Sequence, residues 1–249
     1  MTATGADLQL RTSEFYTSGG IETKLGVKVE RIDVDAQIVH GDDESAIHYD
    51  YLVLATGGKP REMKAVPGHN LKNIYHLRSP EDANNIVKSA EGKHVVVVGS
   101  SYIGTEVAAY LASRAASVTV ICRSDVPLQK TLGPKVGAYL KSLHESKGVR
   151  FVINAQVSAF TSASGTEEVD DNVAFVHLTT EDGPSSPLQA DVVILGIGVD
   201  PATDYLQGSK VELDDQGYVI TNSFLQSSVS NIFAAGDIAK FPLGKFLYV

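Results

Sequence analysis

Val95-Val-Val-Val-Gly99-Ser-Ser101-Tyr-Ile-Gly104 sets four consecutive β-branched residues directly against a glycine turn, with a helix-compatible run from Tyr102 onward. Unbroken valines fit a strand covered on both faces, as in a parallel sheet. The turn has the spacing of the G-x-G-x-x-G dinucleotide fingerprint, with Ser101 where the second glycine normally stands. In that fingerprint the first glycine, Gly99 here, permits the tight turn. The second lets backbone approach the pyrophosphate, and the third, Gly104, lets helix pack close to strand. Free amides at the helix start, Ile103 among them, face the phosphates. Ser101 either crowds a phosphate or hydrogen-bonds to one. The same letters also occur in a glycine turn that holds no ligand.

Downstream, Val118 to Ile121 predicts a second buried strand, completing one βαβ unit. The fingerprint expects an acid roughly 20 residues on, to bind the ribose 2′-hydroxyl of NAD. The strand instead runs out into Cys122-Arg123-Ser124. Arg123 and Ser124 either face the 2′-phosphate of NADP, for which a guanidinium is suited, or lie on a solvated surface. Pro134 then predicts a helix start, with Val136, Leu140, Leu143 and Ser146 on one stripe and Gly148 as the stop. Upstream, Ser79 is the expected N-cap of a helix with Pro80 at N1 and Ala83, Ile86, Val87 and Ala90 on its apolar face.

The flanks read as β-rich. Val27 to Val34 alternates, and Gln37–Val39 with Ala46–Tyr49 predicts a hairpin. Phe151–Ile153, Gln156–Phe160 and Val173–Leu178 suggest a meander, with a polar surface loop between Thr161 and Asp171. Three further strands are expected to be buried: Tyr51 to Ala55 before Thr56-Gly57-Gly58, Asp191 to Leu195 before Gly196-Ile-Gly198, and Ile232 to Ala235 before Gly236-Asp237. The first and last bracket the βαβ unit. That order fits one cofactor domain interrupted by an inserted nucleotide domain.

Composition excludes several classes. The net charge of −9 and the absence of a basic tract argue against nucleic acid as a partner. No apolar run reaches the ~20 residues of a membrane span. With Cys122 as the only cysteine, an internal disulfide and a cysteine-rich metal site are ruled out, and a reducing compartment such as the cytoplasm is expected. The histidines, including His48, His69, His76 and His144, are scattered singly and read as surface or satisfied core residues.

Taken in order, Thr56-Gly57 to Pro60-Arg61, Gly99 to Glu106, Gly196-Ile-Gly198-Val-Asp-Pro201 and Phe233-Ala-Ala-Gly-Asp237 resemble the motifs of the FAD-dependent pyridine nucleotide-disulfide oxidoreductase family. The likeness is greatest to its apoptosis-inducing factor 3-like and ferredoxin reductase-like branch. The resemblance implies an α/β, three-layer FAD/NAD(P)-binding Rossmann-like fold, with an NAD(P) domain (residues 78–200) inserted in a partial FAD domain (1–77 and 201–249). It implies that Asp237 binds the FAD ribitol, that Thr56 and Gly57 lie against FAD, and that Arg61 sits near the flavin. Glu106 would approach the nicotinamide, or else be a solvated first-turn acid. Gly196 and Gly198 would let NAD(P)H approach the flavin.

The family's own N-terminal FAD fingerprint and C-terminal domain have no counterpart here. The chain therefore reads as a fragment, with weak FAD binding expected. A lone cysteine cannot supply the redox pair of a disulfide reductase. The resemblance then implies hydride transfer from NAD(P)H to FAD and electron transfer to a Rieske or ferredoxin-like iron–sulfur protein, or to a small molecule. For a longer parent a mitochondrial location is also open. The alternatives are an apoptosis-inducing-factor-like signalling protein and an inactive fragment.

Overall fold

A computed structural model describes residues 9–165, 171–243 and 247–248. Residues 166–170 of the expected Thr161–Asp171 loop lie outside these. The chain divides into two compact units, Pro60–Gly198 and Gln9–Lys59 with Val199–Val249.

In the first unit the valine run forms the strand His94–Val98, at the centre of a five-stranded parallel sheet. Ile74–Tyr75 and Val192–Leu195 lie on one side, Ser117–Ile121 and Val149–Val152 on the other. Alternation along the strand explains why all four positions from Val95 to Val98 are apolar. Val95 and Val97 face the helices Pro80–Ala90 and Tyr102–Leu111, packing with Ile86, Val107 and Leu111. Val96 and Val98 face the other way, into a cluster with Phe160, Val176 and Leu178. That second cluster belongs to an antiparallel layer, Gln156–Thr161 against Phe175–Thr180. The unit thus has three layers, and the central strand has no polar face to offer solvent. Each buried valine contributes on the order of 1.5–3 kcal/mol. Ser79 caps its helix as expected: its hydroxyl accepts from the Asp82 amide, and Asp82 accepts from the Ser79 amide in return.

Three expectations change. Phe151–Ile153 does not join the meander; Val149–Val152 is the outer parallel strand, hydrogen-bonded to Ser117–Ile121. The first unit begins at Pro60 rather than at residue 78, because Ile74–Tyr75 is an edge strand of its sheet and Met63 and Leu71 pack in its core. On the helix Gln129–Glu145, Pro134 does open a new segment after the non-helical Gly133. The expected stripe is rotated away from the core, however, and Val136 and Leu143 are 45% and 46% exposed. Gly137 is the buried residue, pressed against the Pro127 carbonyl and the Val126 side chain.

In the second unit, Val29–Asp33, Ile38–Gly41 and Ala46–His48 form an antiparallel meander. Leu52–Leu54 pairs in parallel with Ile232–Ala234, residue for residue. Leu54, Ile232, Ala234, Val219 and Ile238 build the core. The run at Tyr51 is not buried throughout, as expected from its letters: Tyr51 and Val53 are 73% and 62% exposed. A two-stranded sheet with one packed face leaves alternate residues on the other face in solvent. Asp204–Leu206 forms a single 3₁₀ turn. Among the described residues no helix is long and apolar enough to cross a membrane.

Candidate functional site

Three glycines of the first unit interlock. A Cβ on Gly99, whose φ is +99°, would lie 2.4 Å from the carbonyl oxygen of Gly196. One on Gly104 would lie 2.1 Å from the Gly99 oxygen, and one on Gly196 would lie 2.9 Å from the Gly104 Cα. The ends of strands His94–Val98 and Val192–Leu195 and the start of helix Tyr102–Leu111 therefore meet backbone to backbone. Gly99 is also anchored through its amide to the Ile121 carbonyl, at 3.0 Å. The result is a turn whose position is fixed by packing and whose surface is peptide. The helix N-terminus above it leaves the amides of Tyr102 and Ile103 without intrahelical acceptors.

Ser101 is tied within the protein. It is the N-cap of the helix in extended conformation, and its hydroxyl donates to the Gly196 carbonyl at 2.7 Å. The hydroxyl proton is thus engaged within the protein, tying the helix start to the end of the neighbouring strand. Ser101→Ala removes both the cap and this tie, and is expected to cost about 1–3 kcal/mol. Urea unfolding with a change in midpoint below the error of the measurement would show that the tie is idle.

A cleft of about 300 Å³ opens at this turn. Its walls include Gly99, Ser101, Gly196, Gly198, Arg61 and Arg123. With Ser124, seven of the residues marked in the sequence are thus brought together. Arg61 reaches it because its amide donates to the Gly198 carbonyl at 3.0 Å. Arg123 is held on a stitched loop. The Cys122 amide donates to Val152, the Ala155 amide donates to Cys122, and the Asn154 side chain donates to the Asp125 carboxylate at 2.9 Å. Cys122 itself is buried, accepting from the Ser100 hydroxyl. The Arg123 guanidinium is exposed and makes no ion pair among the described residues. Lys130 and Ser124 line the same cleft. The sequence reading missed Lys130; it stands at the start of a helix entered through Leu128 in left-handed conformation, whose amide donates to Ser100.

Ile103, Gly104 and Glu106 do not line the cleft. Gly104 is buried in the interlock. Glu106 is exposed and lines a separate groove of about 750 Å³, with Val87 and Tyr110, between the helices Pro80–Ala90 and Tyr102–Leu111. His76 also departs from expectation: its Nδ1 is buried without a hydrogen-bond partner among the described residues.

In the second unit, the two remaining glycine turns stand side by side. Leu54 and Ala234 are paired, and the Ala235 amide donates to the Leu54 carbonyl at 2.9 Å. Thr56-Gly57 and Gly236-Asp237 therefore leave the same end of adjacent parallel strands, with Gly57 and Gly236 at φ +67° and +71°. The Thr56 hydroxyl donates to the Ala202 carbonyl at 2.8 Å and lies 3.2 Å from the Tyr205 hydroxyl. Burial pushes the Tyr205 phenol above its usual pKa, and the Thr56 hydrogen bond pulls the other way. A cavity of about 680 Å³ is lined by Thr56, Tyr205, Val27, Val29 and Lys59. Asp237 is exposed, with no ion pair among the described residues.

The family model described as pyridine nucleotide-disulphide oxidoreductase matches residues 4–246. Apoptosis-inducing factor 3 of Homo sapiens is 36% identical over 236 residues, covering 95% of this chain and 37% of the human protein. Putidaredoxin reductase, solved as a covalent complex with putidaredoxin, superposes with a TM-score of 0.86 at 33% identity, over 99% of this chain and 58% of that one. An engineered water-forming NADPH oxidase bound to NADPH, derived from a Lactobacillus brevis NADH oxidase, has a TM-score of 0.80 at 27% identity, over 95% of this chain and 51% of its own. Its substitutions replace a consecutive Asp-Ala-Met by Ala-Arg-Ser and add a second arginine. The chain spans between 37% and 55% of the length of the curated relatives it matches.

Proposed function

This chain belongs to the pyridine nucleotide-disulphide oxidoreductase family, and from that premise we propose that it serves an FAD-dependent oxidoreductase that takes electrons from NAD(P)H. One observation carries the reading. Two strands about 180 residues apart end in glycine turns at Thr56-Gly57 and Gly236-Asp237, lie paired in one unit, and are separated in sequence by the compact unit Pro60–Gly198 with its glycine turn at Gly99.

The residues fit the two cofactors. The interlocked glycines hold the turn at Gly99 tight, and the amides of Tyr102 and Ile103 at the helix start would donate to a pyrophosphate. Arg123, Ser124 and Lys130 suit a 2′-phosphate. The Arg-Ser pair after the strand Ser117–Ile121 is also the pair introduced into the engineered NADPH oxidase, which favours NADPH. Thr56, Gly57 and Asp237 would hold FAD, the carboxylate accepting from a ribitol hydroxyl. Gly198 would let the nicotinamide end approach the flavin, with Arg61 near the flavin; Glu106, in the separate groove, fits the solvated first-turn acid. When bound, the nicotinamide supplies a hydride and FAD receives it. The protein's part is to bind, orient and exclude water.

The acceptor we infer is an iron–sulfur protein of ferredoxin or Rieske type, supported by the reductase–putidaredoxin complex among the structural relatives. A small molecule is the other option. A reducing compartment, the cytoplasm or for a longer parent the mitochondrion, suits the single thiol.

The test is anaerobic. The purified chain is titrated with FAD and at saturation is mixed with NADPH. Bleaching of the flavin absorbance is the expected result. A chain that binds NADPH yet leaves saturating flavin oxidised would instead point to a nucleotide-binding signalling role.

A further inference from the structure

A second, polar pocket of about 380 Å³ adjoins the nucleotide cleft. Arg123, Gln156 and Val157 line both. The remaining wall comes from Asn154 and, across from it, from Thr179, Thr180 and Glu181 of the antiparallel layer and its tip. The placement of that wall is specified by register. Thr179 is the direct cross-strand partner of Gln156. Thr180 pairs with Gly183 across a two-residue tip, Glu181-Asp182, and the Thr180 hydroxyl donates to the Gly183 carbonyl at 3.1 Å. Gly183, at φ +103°, supplies the conformation that such a tight turn requires. Glu181 therefore sits on a rigid hairpin facing the same pocket as the stitched loop that carries Arg123. Neither residue forms an ion pair, with the other or with any described residue.

We propose that Glu181 is the specificity-determining acid of this site. It takes the place of the ribose-binding carboxylate absent after Ile121 and allows NADH to be used beside NADPH. This rests on the reading that Arg123 faces the 2′-position of the adenosine ribose. A carboxylate accepts a strong hydrogen bond from a 2′-hydroxyl. The same carboxylate repels a 2′-phosphate held in the same pocket, the more so at low salt. Arg123 acts with the opposite sign on both. The two charges, contributed by segments 58 residues apart, together set the ratio of the two affinities.

Enhancement of reduced-nicotinamide fluorescence reads binding without turnover, and the chain has no tryptophan to interfere. Glu181→Gln is expected to weaken NADH binding about fivefold and to tighten NADPH binding about threefold, consistent with a hydrogen bond of about 1 kcal/mol lost and a repulsion relieved. Asp182→Asn, on the same tip but outside the pocket, is the control and should leave both unchanged. An unaltered ratio in Glu181→Gln overturns the proposal. If Arg123→Ala still lowers NADPH affinity in that case, the 2′-phosphate reading stands and only the role of Glu181 falls. If Arg123→Ala leaves the ratio unchanged as well, both fall together.

Discussion

Gly99→Val is expected to destabilise the first unit by about 3 kcal/mol or more and to abolish nucleotide binding. Two effects add. The backbone at this position is in the left-handed half of conformational space, which a β-branched residue rarely enters. Independently, the new Cβ would collide with the Gly196 carbonyl, which is backbone and has Gly104 packed behind it. Nothing in that triad can turn aside as a flexible side chain would. Gly133→Ala separates the two effects: φ is +76° there, but a Cβ would meet nothing within 4 Å. That variant should lose only about 1 kcal/mol and bind nucleotide normally. Chemical denaturation and NADPH titration of both variants provide the measurement. A Gly99→Val protein with unchanged affinity would show that the turn is not the nucleotide site.

Arg123→Glu is expected to lower NADPH affinity about 100-fold, because hydrogen bonds to a charged group worth about 1.5–3 kcal/mol give way to repulsion. NADH, which lacks the phosphate, should change far less. The loss should also shrink as salt is added, since the site is exposed and screened. Equal affinities for both nucleotides, before and after the substitution, would remove the case for NADPH.

Local signals were the readable ones. The valine run, the glycine turn and the Ser79-Pro80 helix start each state their structure within a few residues, and each is found where expected. What could not be read depends on partners distant in sequence. Phe151–Ile153 has strand letters, but letters do not say whether a strand joins a parallel sheet or a meander. The period of the helix after Pro134 was legible and its phase was not. The contact residue is Gly137, chosen for its small size beside the Pro127 carbonyl, and a hydrophobic stripe cannot reveal such a position. Tyr51 and Val53 looked like core because apolar letters do not count the layers that cover them. Within the site, Gly99 and Arg123 were visible from a motif. Lys130 and Glu181 were not, since only the folded chain brings them to the same cleft system.

The glycine interlock bears on how such a protein can be altered. Where the floor of a cleft is made of main chain touching main chain, random mutagenesis has nothing there to vary without wrecking the scaffold. Changes in cofactor preference must accumulate on the rim, where exposed charges such as Arg123, Lys130 and Glu181 can be exchanged singly. A library aimed at new nucleotide selectivity should therefore spare Gly99, Gly104 and Gly196 and randomise that rim.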